Sequence, residues 1–82
     1  MNINEPSDLL TFEWDSNNET LEIHCNQKGL EKLKHMIDSL LVKKNSDHVH
    51  LMTNEWGGNE LSDEKQNTEN EIINHVKIFK WI

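Results

Sequence analysis

A single run with helical periodicity sits near the middle of the chain and constrains the fold more than any other feature. From Gln27 to Lys44 the apolar residues Leu30, Leu33, Ile37, Leu40 and Leu41 recur on one stripe, with Lys28, Glu31, Lys32, Lys34 and Asp38 mostly off it. Asn26 is placed to cap the start. Lys43 and Lys44 suit the negative end of the helix dipole, and Asn45 is a reasonable stop. Gly29 in the first turn costs about 1 kcal/mol relative to alanine, a choice that fits a helix lying close on its neighbour. The other apolar runs alternate with period two. One helical stripe covers one face of a sheet, so the helix is expected to pack on one side of a single layer of strands.

Leu10-Thr11-Phe12-Glu13-Trp14 and Thr20-Leu21-Glu22-Ile23-His24-Cys25 alternate apolar and polar around the turn residues Asp15-Ser16-Asn17-Asn18, which predicts a β-hairpin. His48 to Thr53 is a third strand. Asn54 to Asn70 is a long polar connection, with a short helical turn expected around Ser62 to Gln66. Glu71 to Ile82 reads as the longest strand, central in the sheet. The prediction is an α+β fold: one domain over residues 1–82, ββαββ order, and a four-stranded sheet with one helix packed on one face. A β-grasp-like order with the last strand central is one arrangement; a hairpin pair flanking the crossover is the other. Met1 to Asp8 is read as a loose arm stiffened only at Pro6. The helix is expected to cover Leu10, Phe12, Leu21, Ile23, Val49, Leu51, Val76 and Ile78. Glu13, Glu22, His24, His48, His50, Met52, Ile73, His75, Phe79 and Trp81 are expected on the open face.

The charge excludes whole classes of function. Fifteen acidic residues stand against eight lysines, with no arginine, for a net charge of −7. A chain without guanidinium forks and with this sign is not built for nucleic acid, and its field steers it towards a basic partner or simply keeps it soluble. Eighty-two residues bury a modest core. The one cysteine, Cys25, allows no internal disulfide and fits a reducing compartment. The N-terminal stretch lacks the basic and apolar regions of a signal peptide, and no run is long enough to span a membrane. The expectation is a cytoplasmic, soluble protein with no membrane partner.

Four groups of residues invite a functional reading. His24, His48, His50 and His75 fall on the predicted open face; His48 and His50, two apart on a strand, point the same way and could hold zinc with His24 or His75 as a third ligand. The plainer reading is four half-exposed polar side chains. Cys25 and His24 are neighbours on a strand and face opposite ways, so they form no nucleophile–base pair. Trp56 lies in a polar loop beside Gly57-Gly58, where a positive φ lets the chain reverse; it is either a local anchor folded back on the sheet or the centre of an interface. Met52, Ile73, Phe79 and Trp81 would leave an apolar patch on the open face, a surface through which a homodimer could form.

The string Asp47-His48-Val49-His50-Leu51-Met52-Thr53-Asn54-Glu55-Trp56-Gly57-Gly58-Asn59-Glu60-Leu61-Ser62 resembles the hallmark of a family of bacterial polymorphic-toxin immunity proteins, the immunity protein 32 family. The likeness continues through Leu21-Glu22-Ile23, the helix from Gly29 to Leu41 and the closing Asn74-His75-Val76-Lys77-Ile78-Phe79-Lys80-Trp81, and covers roughly residues 10 to 82. The chain departs from the pattern at Asn54, where a proline is common; this loosens the entry to the loop. The resemblance implies an antidote that binds a cognate toxin, with no enzymatic activity, no catalytic residues and no cofactor. On that reading Glu55, Trp56, Gly57, Gly58, Asn59, Glu60, Asp63 and Glu64 form the partner-binding loop, and a nuclease toxin with a basic cleft is one target that its acidity suits.

Overall fold

The computed structural model describes residues 7–82; the expectations for Met1 to Pro6 lie outside the described residues. The elements are β1 (Leu10–Asp15), β2 (Thr20–Cys25), α1 (Gln27–Leu41), β3 (Asp47–Met52), a 3-10 turn (Asn54–Trp56), β4 (Glu71–Ile72) and β5 (His75–Lys80). Among the described residues the fold is α+β with one α-helix. It does not contain the single four-stranded sheet expected from the ββαββ pattern. The strands form two small sheets, β2-β1-β4 and β3-β5, each antiparallel throughout.

The β1–β2 hairpin has the register that its alternation requires, with Leu10 opposite Cys25, Phe12 opposite Ile23 and Trp14 opposite Leu21. Its turn is closed by Asp15, whose carboxylate accepts from the Asn17 and Asn18 N–H groups and from Asn18 Nδ2. The last strand was expected to be continuous. It breaks at Ile73-Asn74, so that Glu71 and Ile72 pair with β1 while His75 to Lys80 pair with β3. The break serves both sheets. The Ile73 N–H donates to Phe12 O, and Asn74 O accepts from the Thr53 N–H. On the other side the Leu61 N–H donates to Met52 O and the Ser62 N–H to Leu10 O. These four bonds stitch the two sheets into a closed circuit around Leu10, Phe12, Leu51 and Leu61, which are the buried apolar centre.

The helix begins as expected. Asn26 Oδ1 accepts from the Gly29 N–H at 2.8 Å and from the Leu9 N–H at 2.9 Å, so one side chain caps the helix and ties it to the chain entering β1. A Cβ on Gly29 would lie 1.6 Å from Leu9 O, so only glycine permits this approach. The end comes earlier than predicted. The helix stops at Leu41 with Val42 as its C-cap, and Lys43, Lys44 and Asn45 lie beyond it. Its buried stripe is rotated from the expected one. Gly29, Leu33, Met36 and Leu40 face inward, while Leu30, Ile37 and Leu41 are exposed. Leu21 and Ile23, expected beneath the helix, are also exposed. Ser7 and Asp8, expected to be loose, are held: Ser7 O accepts from Asn26 Nδ2, and Asp8 pairs with Lys32 at 2.7 Å.

Candidate functional site

The connection from Asn54 to Asn70 has two halves. The first half is an excursion from the closed circuit. Thr53, fully buried, anchors its start: Thr53 O accepts from both the Trp56 and the Gly58 N–H, and Thr53 Oγ1 donates to Asn74 Oδ1 at 2.8 Å. Gly57 takes φ +90°, the left-handed reversal expected after Trp56. Gly58 lies against β3, and a Cβ there would come within 2.5 Å of Met52 O. Leu61, buried, returns the chain to the core through a parallel bridge with Thr53.

Side chains brace the excursion from inside. Glu60 Oε1 accepts from the Met52 N–H at 3.0 Å, and Asp63 Oδ1 accepts from the Glu55 N–H at 3.1 Å. Lys32 reaches across from α1 and donates to Asn59 O and Glu60 O. The same ammonium, hydrogen-bonded to Asp8, holds the Asp8 carboxyl below its usual range. Trp56 takes no part in this bracing. It is 60% exposed at the tip, so it is not folded back on the sheet. Beside the loop, Asp8, Lys32, Asn59, Asp63 and Glu64 line an open cleft of about 410 Å³. Glu55 and Glu64 are exposed and pair with no cation among the described residues. The predicted partner-binding residues are therefore brought together, with Glu60 and Asp63 spending part of their hydrogen-bonding capacity inside the loop. The helical turn predicted at Ser62 to Gln66 is absent. The turn lies instead at Asn54–Trp56, and Ser62 Oγ accepts from the Leu10 N–H.

The second half folds inward. Glu13, expected on an open face, is completely buried, because Gln66 to Asn70 lie over it. Its carboxylate accepts from Thr11 Oγ1, from the Gln66 and Asn67 N–H groups and from Asn70 Nδ2. Burial alone would raise its pKa; the four bonds outweigh burial and hold the carboxyl below the usual range. Asn70 Nδ2 also donates to Glu22, which is paired with His24 at 2.8 Å. With both donors spent this way, the buried Asn70 Oδ1 has no partner. Nothing in the alternation of β1 distinguished Glu13 from an exposed strand residue; only the loop's need for acceptors for its own N–H groups could have pointed to it.

The four histidines do not converge. His24 lies on β2, in the other sheet, beside Glu22 and Glu13. His48, His50 and His75 run in a string on the β3–β5 face, with His48 Nε2 3.0 Å from His50 Nε2, and His50 Nδ1 2.9 Å from His75 Nε2. Their nitrogens bond one another pairwise rather than surround a common point. Desolvation and the positive charge that His48, His75 and Lys77 would place beside it hold His50 below the ordinary imidazole value. Among the described residues the ligand atoms of Glu13, Glu22 and His24 do lie within 4.8 Å of one another. The Glu13 lone pairs are already committed to four donors, and the group is a structural network. The zinc reading finds no support in this geometry. Phe79 stacks on His48 and on Trp81, with ring centroids 5.0 and 6.0 Å away, and both Phe79 and Trp81 are exposed as expected. Ile73, expected beside them, packs against the core. Cys25, half-buried, packs there too, as a small apolar residue would. No helix among the described residues is long and apolar enough to cross a membrane.

No curated protein and no solved structure matches the chain. The family model of Immunity protein 32 matches residues 20–76. That span runs from the start of β2 into β5 and takes in the helix, β3, the braced loop and the Asn67–Asn70 segment that closes over Glu13. The match covers well over half of the sequence and includes the string from Asp47 to Ser62, and on that ground the chain belongs to the immunity protein 32 family.

Proposed function

We propose that this immunity protein neutralises a cognate toxin of a polymorphic toxin system by direct contact in the cytoplasm, without catalysis or a cofactor, and that the loop from Asn54 to Glu64 makes the principal contact. The observation that carries this reading is Trp56. A tryptophan 60% exposed on a loop braced by Thr53, Glu60, Asp63 and Lys32 is an apolar anchor held ready at little ordering cost. Glu55 precedes it in the chain, and Asp63 and Glu64 line the adjoining cleft, which is open to a lysine or arginine side chain. Gly57, Gly58 and Asn59 set the shape of the tip, and Glu60 holds it to β3. A basic toxin surface, such as the substrate cleft of a nuclease, is the partner this arrangement suits.

The test has two stages. Tagged protein recovered from its own host should bring down one large protein with a toxic C-terminal domain. Calorimetry with that domain should then show Trp56→Ala weakening binding by ~2 kcal/mol, about thirtyfold. Unchanged affinity in a folded Trp56→Ala protein would move the contact elsewhere.

A further inference from the structure

We infer that the chain forms a two-fold dimer by pairing the open edge of β2 with the β2 edge of a second copy, and that the exposed row Leu30, Ile37 and Leu41 of α1 closes over the joint. The inference is independent of the toxin-binding loop.

β2 has β1 on one side and no strand on the other among the described residues. Leu10 O and Phe12 O are taken from the far side of β1, by the Ser62 and Ile73 N–H groups. Their register partners Cys25 and Ile23 therefore direct N–H and C=O outward, as Leu21 does, because backbone groups alternate sides along an antiparallel strand. The edge lacks most of the usual guards against pairing, Glu22 being its one carboxylate. β2 contains no proline and no lysine, and its apolar residues share one face.

The side chains point to the same occupant. Ile23 stands opposite Phe12 and Leu21 opposite Trp14, which puts both on the helix side of the sheet. On α1, Lys32 reaches the Asn59–Glu60 side of β1; Leu30, Ile37 and Leu41 lie roughly 140–180° around the helix from it, on the opposite flank. These five aliphatic side chains are between 41% and 66% exposed. Together they offer roughly 450 Å² per copy, so a two-fold pair buries about 900 Å² from them alone, before its rim is counted, against the 1,200–2,000 Å² typical of stable interfaces. A two-fold axis at Ile23 sets Leu21 opposite Cys25 and Glu22 opposite His24, apolar on apolar and acid on imidazole. Near the row, Glu31, Lys34 and Asp38 carry both signs, whereas the Trp56 loop carries mainly acid. The flank therefore has nothing that selects a basic partner, and its own copy meets it without a wall of like charge.

Sedimentation of the full chain should give twice the chain mass at about 100 µM and dissociation at lower concentration, as expected of an interface of this size. In hydrogen exchange the Ile23 amide, directed away from β1, should gain protection as concentration rises. Ile23→Lys and, separately, Ile37→Glu should return the protein to a monomer with an unchanged circular dichroism spectrum, and both should keep toxin binding. A monomer at every concentration overturns the inference. So does a dimer that survives both substitutions and is lost on Trp81→Ala, which would place the joint on the Phe79–Trp81 face.

Discussion

The two halves of the Asn54–Asn70 connection are both polar and hold two asparagines each, yet they have opposite roles. The first half satisfies its N–H groups largely from within itself and from β3, which leaves Trp56 and several carboxylates facing outward. The second half satisfies the Glu69 and Asn70 N–H groups locally, at Asn67, but has no local acceptor for those of Gln66 and Asn67. It takes the Glu13 carboxylate instead, and in doing so becomes a cover over one face of β1. What a loop's side chains look like is a poor guide to its position. Where its backbone hydrogen bonds end is a better one.

That contrast is most sharply broken at Glu13. Glu13→Ala orphans the Gln66 and Asn67 N–H groups and opens a cavity beneath the second half, and should cost about 3 kcal/mol of unfolding free energy in urea titrations. The folded fraction should bind toxin normally; lost binding would mean that the halves are coupled. Gly58→Ala drives a methyl into Met52 O and should cost about 1–3 kcal/mol while also weakening toxin binding, since it displaces the Trp56 tip. Trp56→Ala should be nearly silent in thermal melts, within about 0.5 kcal/mol of the parent, because the ring packs on little. A large loss of stability would show that Trp56 serves the fold.

Acid should separate two regions by pH rather than by mutation. His50 has a lowered pKa in the fold, so the unfolded chain takes up its proton first; the stability it contributes is present above its ordinary value of 6.5 and declines as pH falls through the lowered value. Glu13 is also lowered. Its contribution is complete above 4.5 and is lost only as pH falls further, through its own depressed value. Imidazole and amide resonances should therefore report loosening of the β3–β5 face first and release of the Gln66–Asn70 cover second. The reverse order would contradict the assignments.

Much of the fold was legible in the chain. The hairpin, the Asn26 cap, the close approach at Gly29 and the reversal at Gly57 follow from local stereochemistry, which a sequence carries residue by residue. The division into two sheets was not legible. It depends on Ile73 and Asn74 bonding to different neighbours, Phe12 and Thr53, and no alternation pattern encodes a change of partner. The helix stripe misled for a related reason. Leucine marks an apolar flank whether it meets the sheet or remains exposed, so Leu30 and Ile37 looked like core and Met36 did not. Around the loop, the residues that form the surface were readable from their chemistry. Lys32 and Glu13, which hold the two halves in place, act from distant points of the chain and left no local sign.

The closed circuit of four backbone bonds also sets when the protein becomes competent. The Phe12–Ile73 and Leu10–Ser62 bonds join segments far apart in the chain, and with the Thr53–Leu61 bridge they fix the base of the Trp56 loop. Contacts between residues far apart in a chain are the slow ones to form. On the ribosome the base of this loop cannot be completed until Ile73 and Asn74 have emerged.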